Sequence, residues 1–172
     1  MIKGTYVQGE VFSNDVLADT LCNTKCFGER AGEKVVYFPE EALFLVESGK
    51  LQVFDLKGKE IFFENLLKKF SRKDGRFFLK YAIFSDLRKK GYVVKPALKF
   101  GADFRVYEKG RGVFKNHSFW LLEVLGEQAR ILIKDVVSKS RVAHSTKKKL
   151  MIAVLDGEGE ASYFEVCWRK MR

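Results

Sequence analysis

Tyr107, His117 and the lysines of the stretch "RVAHSTKKKL" (141–150) are the side chains best suited to acid–base work on a phosphate. Tyr107 ends the run "DFRVY", and His117 opens "HSFW" on the far side of a short basic loop, Lys109-Gly-Arg-Gly112. An imidazole with an unperturbed pKa of about 6.5 carries or releases a proton near neutrality. The alternative for His117 is an exposed loop histidine, and for Tyr107 it is half-buried packing at a strand end. Taken together, the two flank Lys109, Arg111 and Lys115, cations suited to holding a phosphate. The lysine run is the third element. Solvated lysines are unremarkable on a helix face but harder to explain where the backbone enters the apolar strand "LMIAVLD", so one of them is expected to face a phosphate. His144, mid-helix beside Ala143, reads as a packed, hydrogen-bonded residue.

No carboxylate pair with metal-ligand spacing accompanies these groups. After Asp103 no acid is followed two residues later by lysine, as a metal-dependent nuclease of the restriction type would require. The pattern therefore favours metal-free chemistry, with neither metal nor cofactor expected. Cys22 and Cys26 have C-x3-C spacing, yet neither histidine lies near them to complete a zinc set. They read as reduced structural thiols, with a Cys22–Cys26 disulfide as the alternative.

The elements that must position these groups follow from pattern and charge. The 172 residues carry 32 basic and 22 acidic side chains, net +10. Residues 1–86 hold 13 of each sign, whereas residues 87–172 hold 19 basic and 9 acidic, so the excess lies wholly in the second half. A lysine-rich solvated surface is the simple reading; segregation this complete favours a polyanion partner such as nucleic acid. The N-terminus has no apolar leader core and no apolar run approaches about 18–20 residues, so neither export nor a membrane span is expected and the location expected is cytoplasmic.

Strand-like runs to about Ser13 are broken by Gly4 and Gly9. A short helix, "VLADTLCNTKCFG", stops at Gly28, and "EKVVYF" is strand-like. Pro39 to Gly49 has the signals of a helix, with proline and acids at its start and glycine past its end. A hairpin is expected around "LKGK", then a helix from "ENLLKKF", with "SRKDG" (71–75) as the most loop-like stretch. The domains expected are 1–75, an α/β scaffold or assembly unit, and 76–172, a mixed sheet of about five strands flanked by two helices. Its strands are "YVVKPALKF", "ADFRVYEKG", "SFWLLEVL" and "ARILI" around "GEQ", "LMIAVLD" and "ASYFEVCW"; its helices are "RFFLKYAIFSDLRKKG" and "KDVVSKSRVAHSTKK". The class is α/β (α+β) in two small domains.

The stretches "YAIFSDLRKKGYVVKPALKFGADFRVYEKG", "HSFWLLEV" and "RVAHSTKKKLMIAVLD" resemble the catalytic domain of the archaeal tRNA-splicing endonucleases. The resemblance runs almost unbroken over residues ~80–156. The first half is similar only in character, through "EEALFLVESGKLQV". Phe84 and Phe100 stand where the family often has tyrosine, Pro96-Ala97 replaces a small-residue pair, and Lys147 replaces a common arginine.

The resemblance implies a restriction-endonuclease-like catalytic fold with Tyr107, His117 and Lys148 as the catalytic three. Tyr107 would act as general base on the 2′-hydroxyl, its phenol (ordinarily near pKa 10) brought into range by cations. His117 would protonate the leaving 5′-oxygen, and Lys148 would neutralise the pentacovalent phosphorane. The substrate implied is precursor tRNA with two bulges separated by a short helix. Arg141 matches the family arginine that stacks on a bulged base. Tyr163, Trp168 and Arg169 are candidates for the other side of that sandwich, ordinary edge packing being the alternative for Trp168. Lys147 and Lys149 are expected to point elsewhere, to backbone phosphates or solvent. Two bulges need two sites, so a homotetramer is implied, or a heterotetramer with a second subunit. An acidic loop between two strands mediates assembly in similar proteins, and the matching loop is placed at Gly126-Glu127-Gln128. The alternative of another class is a non-catalytic RNA-binding or structural subunit.

Overall fold

The computed structural model describes residues 1–109, 117–169 and 171. The class is mixed α+β. Contacts divide the chain into two compact units, Met1–Tyr81 and Ala82–Arg172.

In the first unit β1 (Ile2–Val7) and β2 (Glu10–Ser13) form a hairpin. Its two-residue turn has positive φ at both Gln8 and Gly9, the geometry whose twist matches that of paired strands. Asp15 then caps α1 (Val16–Lys25) by accepting the Leu17 amide at 2.9 Å. The helix ends before the expected glycine, because Cys26 itself takes the left-handed position at φ 57°. Cys22 and Cys26 are buried thiols, and that of Cys22 donates to the Gly28 carbonyl at 3.6 Å. A short strand absent from the expected pattern, β3 (Glu29–Ala31), pairs with β4 (Lys34–Tyr37). There follow α2 (Pro39–Glu47), β5 (Leu51–Phe54) and α3 (Phe63–Lys73). The sheet order is β3-β4-β2-β1-β5, parallel only between β1 and β5. The hairpin expected after β5 shrinks to a single bridge, Phe54 to Glu60. Ser71 to Lys73, expected as loop, continue α3, whose Leu66 and Phe70 are buried.

Helix α4 (Phe77–Lys89) carries the chain into the second unit. There β6 (Val93–Pro96), β7 (Phe104–Tyr107), β8 (Trp120–Gly126), β9 (Lys149–Leu155) and β10 (Ala161–Val166) lie side by side in chain order. Every neighbouring pair is antiparallel except β8 and β9. A parallel pair needs a crossover, and α5 (Ile133–Ser145) provides it. The second strand expected in "ARILI" is therefore absent: Ala129 to Leu132 form a loop and Ile133 starts the helix, with Leu132 and Ile133 exposed rather than packed. One face of the sheet, with Leu121 and Leu150, packs with Ala143 of α5 and with Ala97 and Ala102. The other receives α4, where the Phe84 and Phe104 rings lie 6.0 Å apart. Among the described residues no helix is long and apolar enough to cross a membrane.

Candidate active site

The three lysines occupy three different structural positions. Helix α5 closes with the Lys147 amide donating to the His144 carbonyl at 3.1 Å and the Lys148 amide donating to that of Ala143 at 2.8 Å. This is the paired bonding of a Schellman C-cap. Lys147 holds the left-handed position, φ 56°, where glycine is usual, and its side chain is exposed. Lys148 is half-buried; its ammonium donates to the Thr146 carbonyl at 3.2 Å and lies 5.3 Å from the centre of the Phe100 ring. Lys149 begins β9 and pairs with Glu165 at 2.7 Å, while the Trp120 indole donates to the other carboxylate oxygen at 3.0 Å. Those hydrogen bonds, that of Lys149 first, hold the Glu165 carboxyl below its ordinary pKa, and Glu165 raises that of Lys149. Lys149 is exposed, as expected, and Glu165 matches its charge across the strand pair.

Strand register brings the ends of β7, β8 and β9 to one edge of the sheet. Phe119, just before β8, donates its amide to Val106 of β7 at 2.9 Å and accepts the amide of Lys149 on its other side at 2.9 Å. Arg105, Leu121 and Leu150 are paired in a row across the three strands. Tyr107 lies two residues beyond Arg105 and Lys148 two residues before Leu150, so alternation puts both on the α5 face. Their backbones are two strand spacings apart, roughly 10 Å, with Phe119 of the β8 lead-in between them and exposed His117 two residues before it. Tyr107 itself is buried. Asp103, the acid singled out in sequence, accepts the Val124 amide at 2.9 Å, a backbone-bracing role. No His, Cys, Asp and Glu grouping that could hold a metal occurs among the described residues.

The outer residues are less uniform. Arg141 is exposed on α5. Trp168 is 40% exposed and sets its ring 4.8 Å from that of His144. His144 is consequently an exposed last-turn residue against an indole, not the packed residue expected from Ala143 beside it. Tyr163 lies on the α4 face, its hydroxyl donating to Asp86 at 2.6 Å, away from α5 and Arg141. Lys109 stands 4.6 Å over the Tyr92 ring. Arg111, Lys115 and the glycines of their loop lie outside the described residues.

Glu127 does not sit between two strands; it lies between β8 and α5, its amide bonded to the Leu155 carbonyl at 3.0 Å. The acidic turn that joins two strands is Asp156 to Glu160, between β9 and β10. Asp156 organises it by accepting the amides of Glu158 at 3.0 Å and Glu160 at 2.8 Å. The Glu127 carboxylate lies beside it, 3.1 Å from where a Cβ on Gly157 would stand. Sequence reading also missed Phe100 beneath Lys148 and Glu165 beside Lys149. Aromatic type marked the first; only the β9–β10 register exposes the second.

Residues 2–67 match the family described as tRNA intron endonuclease, N-terminal domain, and residues 77–163 match tRNA intron endonuclease, catalytic C-terminal domain. A tRNA-splicing endonuclease of Thermococcus onnurineus is 41% identical over 87% of this chain and 85% of its own length. That of Pyrococcus horikoshii is 39% identical over 96% and 95%, and that of Nanoarchaeum equitans 39% over 76% and 86%. With both halves matched and identity near two residues in five over most of its length, the chain belongs to the tRNA intron endonuclease family.

Proposed function

We propose that the protein cleaves precursor tRNA at the two exon–intron junctions of a bulge-helix-bulge fold, by transesterification without a metal in the chemical step. The observation that carries this reading is the common sheet edge shared by Tyr107, His117 and Lys148. Tyr107, as phenolate, takes the proton of the 2′-hydroxyl while that oxygen attacks the adjacent phosphorus. The bond from phosphorus to the 5′-oxygen breaks, and protonated His117 supplies the proton that this oxygen needs. Lys148 stabilises the charge that builds on the non-bridging oxygens. Acid and base each contribute roughly 10²–10⁴-fold. The products are a 2′,3′-cyclic phosphate and a 5′-hydroxyl.

Arg141 and Trp168 flank the C-terminal end of α5 as the place for a bulged base, and exposed Lys147 takes a backbone phosphate. Residues 76–172 carry catalysis and residues 1–75 serve as scaffold in a cytoplasmic homotetramer, or in a heterotetramer with a second subunit. The assembly loop is Asp156 to Glu160 together with Glu127. The test is cleavage of a bulged precursor tRNA in EDTA, with end analysis of the fragments. Cyclic phosphate ends in EDTA, lost in His117→Ala and Lys148→Ala, are the expected result. Cleavage that stops in EDTA and returns with magnesium refutes it.

A further inference from the structure

A cavity of about 290 Å³ opens on the α4 face of the second unit's sheet, lined by Leu87, Lys90, Tyr92, Val106, Trp120, Met151 and Tyr163. Its deepest members, Leu87 and Val106, are buried and apolar. Tyr92, Trp120 and Tyr163 form aromatic walls, with the Tyr92 and Trp120 rings edge to face at 6.2 Å. The polar ends of two walls are already engaged: the indole nitrogen of Trp120 with Glu165, and the Tyr163 hydroxyl with Asp86. Ring faces and carbon are left to meet a ligand. At the mouth, Lys90 stands 5.3 Å over the Tyr163 ring and Lys109 stands 4.6 Å over the Tyr92 ring. Lys90 also pairs with Asp86 at 2.7 Å and Lys149 with Glu165, which leaves Lys109 as the mouth's cation with no carboxylate partner among the bonds described.

The position is as informative as the lining. Val106 precedes Tyr107 in β7 and pairs with Trp120 of β8, which pairs in turn with Lys149 of β9. Alternation along the strands turns these three away from Tyr107 and Lys148. The cavity and the proposed catalytic groups therefore occupy the two faces of the same three strand ends. An RNA strand held at the catalytic face and bent over that edge would bring a neighbouring base to the aromatic walls within a nucleotide or two. Arg141 and Trp168 belong to the α5 side, so this place differs from the bulged-base site proposed above.

Resting on the function proposed above, we infer that this cavity is a subsite for one unstacked base of the RNA next to the scissile linkage. The base meets Tyr92 and Trp120, stacked on one ring and edge-on to the other because the two stand at 80°, and its phosphate meets Lys109 and Lys90. Stacking on an aromatic platform contributes about tenfold or more in affinity per base with little sequence preference. The volume suits a single base, near the lower end for small-ligand sites.

The experiment is an abasic scan on a bulge-helix-bulge RNA with 2′-deoxy residues at both scissile positions, bound to the full-length wild-type chain. One abasic position flanking the cleavage point should weaken binding about tenfold or more, while abasic residues farther away have little effect. Tyr92→Leu, which keeps the packing apolar, should bind the base-bearing and that abasic RNA alike. Equal binding of all abasic RNAs by the wild type overturns the subsite whether or not the variant folds, as does full discrimination by Tyr92→Leu. Cleavage of the all-ribose RNA in EDTA reports on the catalytic reading separately. Cyclic phosphate ends with a flat scan reject the subsite alone, and loss of cleavage with a positive scan rejects the mechanism alone.

Discussion

Lys148 is held by one backbone carbonyl and an aromatic face, whereas Lys149 is tied to a carboxylate. Among the described residues Lys148 has no carboxylate on it, and such a cation is the one that can serve a developing negative charge. Lys148→Ala should therefore lower the cleavage rate at saturating RNA by about 10²–10³-fold, measured in single turnover, with affinity little changed. Lys149→Ala should leave that rate near wild type and barely change stability, since its pair with Glu165 is exposed and screened by water. Equal losses in the two variants contradict this division. The sequence made the run of three lysines conspicuous and, through family likeness, pointed to the middle one. It did not disclose Glu165, which lies 16 residues away from Lys149 and meets it only through strand pairing. His144 misled for a similar reason: helical spacing placed it beside buried Ala143, but the surface it meets is Trp168, from beyond the last strand.

At the level of elements, the end of α5 sets the direction of Lys148. Lys147 accepts a left-handed backbone that costs a non-glycine residue about 1–2 kcal/mol. Lys147→Gly should keep or raise the melting temperature, whereas Lys147→Val should lower it. If Lys147 also meets a phosphate, both variants should reduce the salt slope of RNA binding by about one. In the first unit, Glu40 opens α2 under partial burial, and desolvation lifts its carboxyl to about 7, with Lys80 pulling the other way. The folded state thus holds that proton more tightly than the unfolded chain. Stability from this group is complete at pH values below the ordinary carboxylate range and is lost as the pH rises through about 7. Glu40→Gln should therefore stabilise the protein at pH 8 by about 1–3 kcal/mol and be nearly neutral at pH 4, as chemical denaturation at the two pH values would record. Helices with clear start and stop signals, such as α2, were legible to within a residue or two. The misreadings came where tertiary pairing decides: "ARILI" has strand-like residues, but β8 pairs in parallel with β9, and the chain must spend that stretch entering a crossover.

For the whole molecule, the charge imbalance and the acidic turn belong to one question of assembly. Neutralising Asp156, Glu158 and Glu160 together removes three charges from the β9–β10 turn, including the Asp156 acceptor for two amides. Glu158→Gln with Glu160→Gln spares that acceptor and is the cleaner variant. If the chain is the proposed homotetramer and the turn docks on a basic surface of another copy, light scattering should show the mass falling to that of dimers, more so at high salt. An unchanged mass would separate this turn from assembly. The sequence points to Gly126-Glu127-Gln128 for this role instead, because "ARILI" has the residues of a strand that would make that loop a hairpin.

Trp120 and Lys149 are neighbours in space yet separated by all of α5 in the chain. Tyr107 and β6, by contrast, come together through a local hairpin. Such distant pairing is slow to form. During refolding, the half of the site bearing the phenol should therefore be in place before the ammonium arrives, and catalytic competence should lag behind the recovery of overall secondary structure.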